Sequence, residues 1–218
     1  MTPDDKFDLH INNIIKKAKQ KIRWLCHSFR CRELFFMKQM YISFIRPQLD
    51  YCSQLWCPSE GLLMDRIERV QKKFTNLIPS IKHHEYKDRL KALKITSVQR
   101  RYDRYCIIYT IKILLNLVPN SRIKVKNSES NRIGLILEVP SRKGEITLRR
   151  DSFQSKGPRL FNLLPKELRS LEDSMDCFKS NLDNFISMIP DTPRIGKASN
   201  IYCNTLHHQL SLWTWSRN

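Results

Sequence analysis

Residues 41–56 read YISFIRPQLDYCSQLW. The run opens apolar, and the spacing of the residues before it predicts a helix from about Glu33 to Arg46. Pro47 removes a backbone donor and disfavours helical geometry at Arg46, so it either ends that helix or kinks it into a continuation over Gln48–Trp56. Tyr41, Phe44, Tyr51 and Trp56 read most simply as core.

The sequence on either side is helical too. Asp8 is placed to cap a helix from about Leu9 to Phe29. Ile11, Ile14, Ile15, Ala18, Ile22, Leu25, Cys26 and Phe29 fall on one face of it. Lys16, Lys19, Arg23 and Arg30 run along another side, and Trp24 projects away from the apolar face. After a turn at Pro58-Ser59-Glu60-Gly61, a helix is predicted over Leu62–Ile78, with Leu63, Ile67, Val70, Phe74 and Leu77 buried and Arg66, Arg69 and Lys73 as a basic stripe. Pro79 stops it. A short helix follows near Glu85–Leu93.

Thr96-Ser97-Val98-Gln99 has the form of a capping box and opens a helix to about Val118. Ile107 to Val118 is apolar nearly all round, which predicts a central position. The first turns carry Arg100, Arg101 and Arg104. Cations at a helix N-terminus oppose the macrodipole at about 0.3–1 kcal/mol each, and a bound phosphate would reverse that cost.

Beyond Pro119 the chain turns polar and loop-like to Asn131. Arg132–Val139 and Glu145–Arg149 have the look of two short strands separated by Pro140–Gly144. Gly157-Pro158 starts another helical turn. Ser174 caps a last amphipathic helix whose core face holds Met175, Phe178, Leu182, Phe185, Ile186 and Ile189. From Pro190 an extended tail is expected. The fold class is therefore mainly α: a helical bundle, a small α+β extension towards the C-terminus, and an irregular tail.

A chain of 218 residues buries roughly 70% of its unfolded surface and needs neither disulfide nor metal to hold a core. The formal charge of +18 is unevenly spread. Residues 1–118 carry 23 basic and 11 acidic side chains, residues 119–163 carry 10 and 4, and residues 164–218 carry 6 and 6. A field of one sign over three quarters of the chain favours a polyanion, nucleic acid before an anionic membrane surface. Met1–Asp5 is acidic and lacks an apolar signal segment, so the seven cysteines read as reduced, intracellular thiols. Tyr105–Val118 is too short and too interrupted to span a bilayer.

Specific chemistry is hard to find. The five glycines are scattered, which excludes a phosphate-cradling loop of the Walker or dinucleotide type. Nucleotidyl transfer needs clustered carboxylates holding two metal ions about 3.5–4 Å apart. Asp4-Asp5 is the one adjacent aspartate pair, with no apolar strand on either side, and reads as a solvated terminus. Cys26-x4-Cys31, Cys52-x4-Cys57 and Cys203-x3-His207-His208 invite a zinc reading, but the first two lie in apolar segments where thiols behave as small hydrophobes. No cofactor or metal is expected.

The run at 41–56 also resembles the segment after the polymerase palm in reverse transcriptases of LINE-type (non-LTR) retrotransposons, jockey-like in type. His10-Ile11-Asn12-Asn13-Ile14, Val70-Gln71-Lys72-Lys73-Phe74-Thr75, Tyr86-Lys87-Asp88-Arg89-Leu90, Gln99-Arg100-Arg101, Gly157–Pro165 and Phe178–Asp183 continue the resemblance in order, over about residues 6–195. It implies that residues 1–8 are the edge of a missing palm and that 9–79 form a thumb-like helical unit gripping a template–primer duplex. Residues 80–189 would then be the region that assists RNA binding, with 190–218 as tail. The palm with its carboxylates would precede this segment, so the resemblance implies no catalysis by the chain itself. The implied partner is RNA or an RNA–DNA duplex, gripped by Lys16, Lys19, Arg23, Trp24, Arg30, Arg66, Arg69, Lys73, Arg100, Arg101 and Arg104. The alternatives are a protein-interaction scaffold, docking through apolar surface that a palm would have covered, and a translated relic without function.

Overall fold

A computed structural model describes residues 3–57, 61–119, 123–126, 135–140, 152–170, 174–193, 204–206 and 208–210. The chain is mainly helical, with no named strand among the described residues. It divides into two compact units: residues 1–102 with 191–204, and residues 103–190 with 205–218.

In the first unit, α1 spans Pro3–Ser28. It starts earlier than the sequence predicts, because Pro3 is pre-organised for a first helical turn, so Asp8 lies inside the helix instead of capping it. Ile11, Ile15, Ala18, Ile22 and Leu25 recur every three or four residues and are buried. Phe29, expected on that face, lies past the helix end and is partly exposed.

The deciding stretch resolves into α2 (Leu34–Met40), a π-helical turn (Tyr41–Ile45) and α3 (Arg46–Asp50). Pro47 thus neither stops the helix nor bends it by simple loss of one bond. Its missing N–H leaves Ser43 without its usual partner, and the turn before it widens so that the Arg46 N–H reaches the Tyr41 carbonyl five residues back. The extra residue keeps Tyr41, Ile45 and Leu49 on one buried face. Cys52 then adopts a left-handed conformation with φ 51°, and α4 (Ser53–Trp56) follows. Trp56 is buried with its indole N–H on the Tyr51 carbonyl, whereas Tyr51, predicted as core, is exposed.

α5 (Gly61–Thr75) buries Leu63, Met64, Ile67, Val70 and Phe74. Arg66 near its start donates to Asn12 of α1. Phe74 near its end lines a small apolar cavity with Leu25 and Phe29. The two helices therefore run side by side in the same direction. α6 (Tyr86–Leu93) ends in a Schellman motif, with Lys94 left-handed and the Ile95 N–H 3.1 Å from the Leu90 carbonyl.

α7 spans Val98–Leu114; its first turn belongs to the first unit and the remainder to the second. Ser97, one residue after the expected Thr96, is the cap: its hydroxyl accepts from the Arg100 N–H at 3.3 Å. The helix stops before Val118 because Asn116, at φ 55°, closes a second Schellman motif through the Leu117 N–H and the Lys112 carbonyl.

The core of the second unit gathers Ile107, Ile111 and Ile113 of α7, Leu160 and Phe161 of α8 (Phe153–Asn162), and Phe178, Leu182 and Ile186 of α9 (Met175–Met188). α8 begins before Gly157-Pro158, which lie inside it. Gly157 is there for closeness: a Cβ on it would stand 2.6 Å from the Thr110 hydroxyl. Ser174 caps α9 as predicted, accepting from the Cys177 N–H.

The expected strand over 132–139 is described only at 135–139. There, Leu137 makes an isolated antiparallel bridge with Val125. Its backbone N–H and carbonyl both pair with the Asn162 side-chain amide at 2.9 Å, which stands in for a further strand. The second expected strand, 145–149, lies outside the described residues.

The stretch after Pro190, expected as a free tail, is packed where it is described. Asp191 and Asn204 bind Ser97 in the first unit, while Leu206 and Leu210 are buried in the second.

Candidate nucleic-acid interface

From Leu9 to Arg32 the sequence holds seven lysines and arginines and no acid. In α1 the apolar residues take the inner arc, so the cations are left outside. Asn12, Lys16, Lys19 and Arg23, spaced by four, three and four, share one exposed side. Arg66, Arg69 and Lys73 are exposed on α5, and the Arg66–Asn12 bond sets that basic side against the α1 one. The parallel course of the helices then leads Lys16, Lys19 and Arg23 along the same seam as Arg66 and Lys73. Arg30 is exposed beyond the end of α1. Trp24 is 52% exposed on another side of α1.

The arginines of α7 differ. Arg100 and Arg101 are buried, at 1% and 2% exposure, so the expectation that they follow a phosphate backbone does not hold for their positions. All five guanidinium N–H groups of Arg101 are engaged inside the first unit. Nε lies 3.2 Å from Asp50 Oδ2, Nη1 donates to Gln71 Oε1 at 2.7 Å and to the Thr96 carbonyl at 2.9 Å, and Nη2 donates to the Tyr41 hydroxyl at 3.0 Å and to Asp50 Oδ1 at 3.3 Å. Tyr41 in turn donates to Gln71. Burial opposes the charge of Arg101, but Tyr41, Asp50 and Glu68 around it hold the guanidinium well above its ordinary pKa. Burial pushes the Tyr41 phenol up.

The anion expected at the start of α7 is supplied by the protein. Glu68, buried on α5, accepts from the Val98 N–H at 2.8 Å and from the Tyr86 hydroxyl. Asp191 accepts from the Ser97 N–H at 2.8 Å and from its hydroxyl at 2.7 Å. These carboxylates take up the free N–H groups and the positive end of the dipole that the sequence assigned to a phosphate. Burial raises the Glu68 carboxyl to about 7, although its hydrogen bonds and Arg101 favour the ionised form. In the second unit Arg104 pairs with both carboxylate oxygens of Asp183, and Lys156 with the buried Asp103 at 2.9 Å.

Eight of the eleven expected residues are therefore exposed in the first unit, two are internal, and one is paired. Lys17 and Lys21 were missed: at i, i+4 and i+7 with Trp24 they share its side of the helix. Among the described residues no three His, Cys, Asp or Glu side chains converge as metal ligands. Cys31 and Cys52 are exposed, not sunk in apolar packing. Asp4, Asp5, Cys203 and His207 have side chains outside the described set. No described helix is long and apolar enough to cross a membrane.

Compared with known proteins, the chain matches no family model, no curated protein and no solved structure.

Proposed function

We propose that the first unit grips RNA or an RNA–DNA duplex through the basic seam of α1 and α5, with no chemistry of its own, in the manner of a thumb from a LINE-type reverse transcriptase. The observation that carries the reading is the contrast in carboxylates. The outer arc of α1 holds its cations over an acid-free stretch, while Asp50, Glu68 and Asp191 are turned inward to α7. Like charges left together at a surface repel one another, and a phosphate backbone relieves that repulsion while releasing its own counterions.

Binding of a hybrid duplex at two salt concentrations tests it. Six or more phosphate contacts predict a loss of about a thousandfold between 50 and 200 mM salt. No affinity at low salt contradicts the reading.

A second reading, a protein-docking module, draws on exposed Phe7, Leu9, Tyr51, Leu55 and Leu62 in the same unit. Concentration-dependent association without nucleic-acid affinity would favour it.

A further inference from the structure

The Trp24 side of α1 differs chemically from the seam. Lys17, Lys21 and Trp24 lie in line along it. Phe29 meets the indole at 6.2 Å with its plane at 90°, and Phe44 at 5.9 Å with a tilt of 56°. Neither ring lies parallel to the indole, and about half of Trp24 remains open to solvent, so a flat partner has room to stack.

The corner is also held in place. Arg32 turns back and donates to the carbonyls of Cys26 at 3.0 Å, Cys31 at 2.9 Å and Phe29. It closes the C-terminal end of α1 with a cation suited to the dipole there and fixes the loop that carries Phe29. Phe29 in turn packs edge-on against Phe36 at 5.5 Å.

We infer that this corner binds an unpaired nucleic-acid strand, stacking a base on Trp24 while Lys17 and Lys21 follow its phosphates. A half-exposed indole beside an acid-free basic arc offers the two chemistries an unpaired strand needs: a π face for a base and cations for the backbone. A paired duplex presents its phosphates but keeps its bases stacked on each other, so it has no use for the ring. An apolar protein surface would instead have to desolvate Lys17 and Lys21, which share the Trp24 side of the helix. The inference rests on reading the basic arc as a nucleic-acid surface and adds the state of the strand it takes.

The full chain is titrated with fluorescein-labelled (dT)12 and with a blunt twelve-pair hybrid duplex at one salt concentration, as wild type, Trp24→Ala, Trp24→Phe and Lys17→Ala/Lys21→Ala. The expected result is a loss of about tenfold for (dT)12 in Trp24→Ala, with Trp24→Phe in between and duplex affinity unchanged. The lysine variant loses about 1.4 units of salt slope for the single strand, near 0.7 for each lost phosphate contact. Trp24→Phe keeps a ring against Phe29 and Phe44, so its intermediate loss of (dT)12 affinity comes with an unchanged melting temperature.

Duplex binding with (dT)12 affinity indifferent to Trp24→Ala overturns this inference and leaves the seam intact. No binding of either ligand removes the underlying reading as well. Loss of self-association in Trp24→Ala, with (dT)12 binding untouched, assigns the rings to a protein contact and overturns it too.

Discussion

Arg23 and Arg101 are the same side chain on amphipathic helices, and they end in opposite surroundings. Around Arg23 the sequence supplies no acid from Leu9 to Arg32, so nothing local competes for the charge and it stays in water. Around Arg101 the fold delivers Asp50 from α3, Gln71 from α5 and Tyr41 from the π-helical turn, and the charge is drawn inside. A basic stripe read from sequence is thus two different things. Where no carboxylate arrives, it stays a solvated cationic surface. Where carboxylates arrive from distant elements, it is a structural clasp. The π-helical turn belongs to the clasp, since it keeps Tyr41 on the buried face within reach of both Gln71 and Arg101.

The contrast can be broken first at the clasp. Arg101→Ala should destabilise the chain by about 2–4 kcal/mol, because a nearly buried Asp50 loses one of its cationic partners while keeping Arg46 at 3.1 Å, and Gln71, Tyr41 and the Thr96 carbonyl lose a donor each. Chemical denaturation measures this. A variant of unchanged stability that binds nucleic acid more weakly would move Arg101 to the surface class.

Glu68 sharpens the same region through pH. Its folded carboxyl titrates at about 7, whereas an ordinary glutamate titrates near 4.5. Between those values the folded chain holds a proton that the unfolded chain has released, so stability falls as pH rises from about 4.5 to about 7, by an order of a few kcal/mol, and then levels. Denaturation at pH 5, 6 and 7 should show the decline. Glu68→Gln keeps an oxygen for the Val98 N–H and offers an amide to the Tyr86 hydroxyl, so it should flatten the pH dependence. A slope that survives the substitution would assign the titration elsewhere.

The second unit, which contributes no residue to either array, provides a reference. Gly157→Ala would place a methyl 2.6 Å from the Thr110 hydroxyl and 3.2 Å from the Phe153 ring, at a cost of about 1–3 kcal/mol with no effect on nucleic-acid salt dependence. A neutral Tm would mean that α8 and α7 stand further apart than described.

Most helices were legible from sequence because their apolar residues recur at helical spacing, which is local information. Ser174 was legible as a cap for the same reason. Thr96 was not the right cap, because the choice between it and Ser97 was made by Asp191, which binds Ser97 from 94 residues away. The reading of Pro47 as a stop or a kink missed the third outcome, a widened turn, which depends on keeping Tyr41 and Leu49 on one face. The exposed half of the candidate site was visible in the acid-free run. The buried half was not: Arg100 and Arg101 were set apart from Arg23 only by partners on other helices, and no spacing rule reports those. The C-terminal stretch was misjudged because Leu206, Leu210 and Trp213, although at i, i+4 and i+7, make a run too short to mark a helix by itself, and the core that buries Leu206 and Leu210 is not visible in the sequence.

The most direct test is the salt dependence of hybrid-duplex binding for wild type and for Lys16→Ala/Lys19→Ala/Arg23→Ala, three exposed side chains whose loss should leave stability within about 0.5 kcal/mol. If the α1–α5 seam is the grip, the slope of log affinity against log salt falls by about three, near 0.9 for each lost phosphate contact. A slope that does not change, or a wild type that binds no duplex at low salt, contradicts the account.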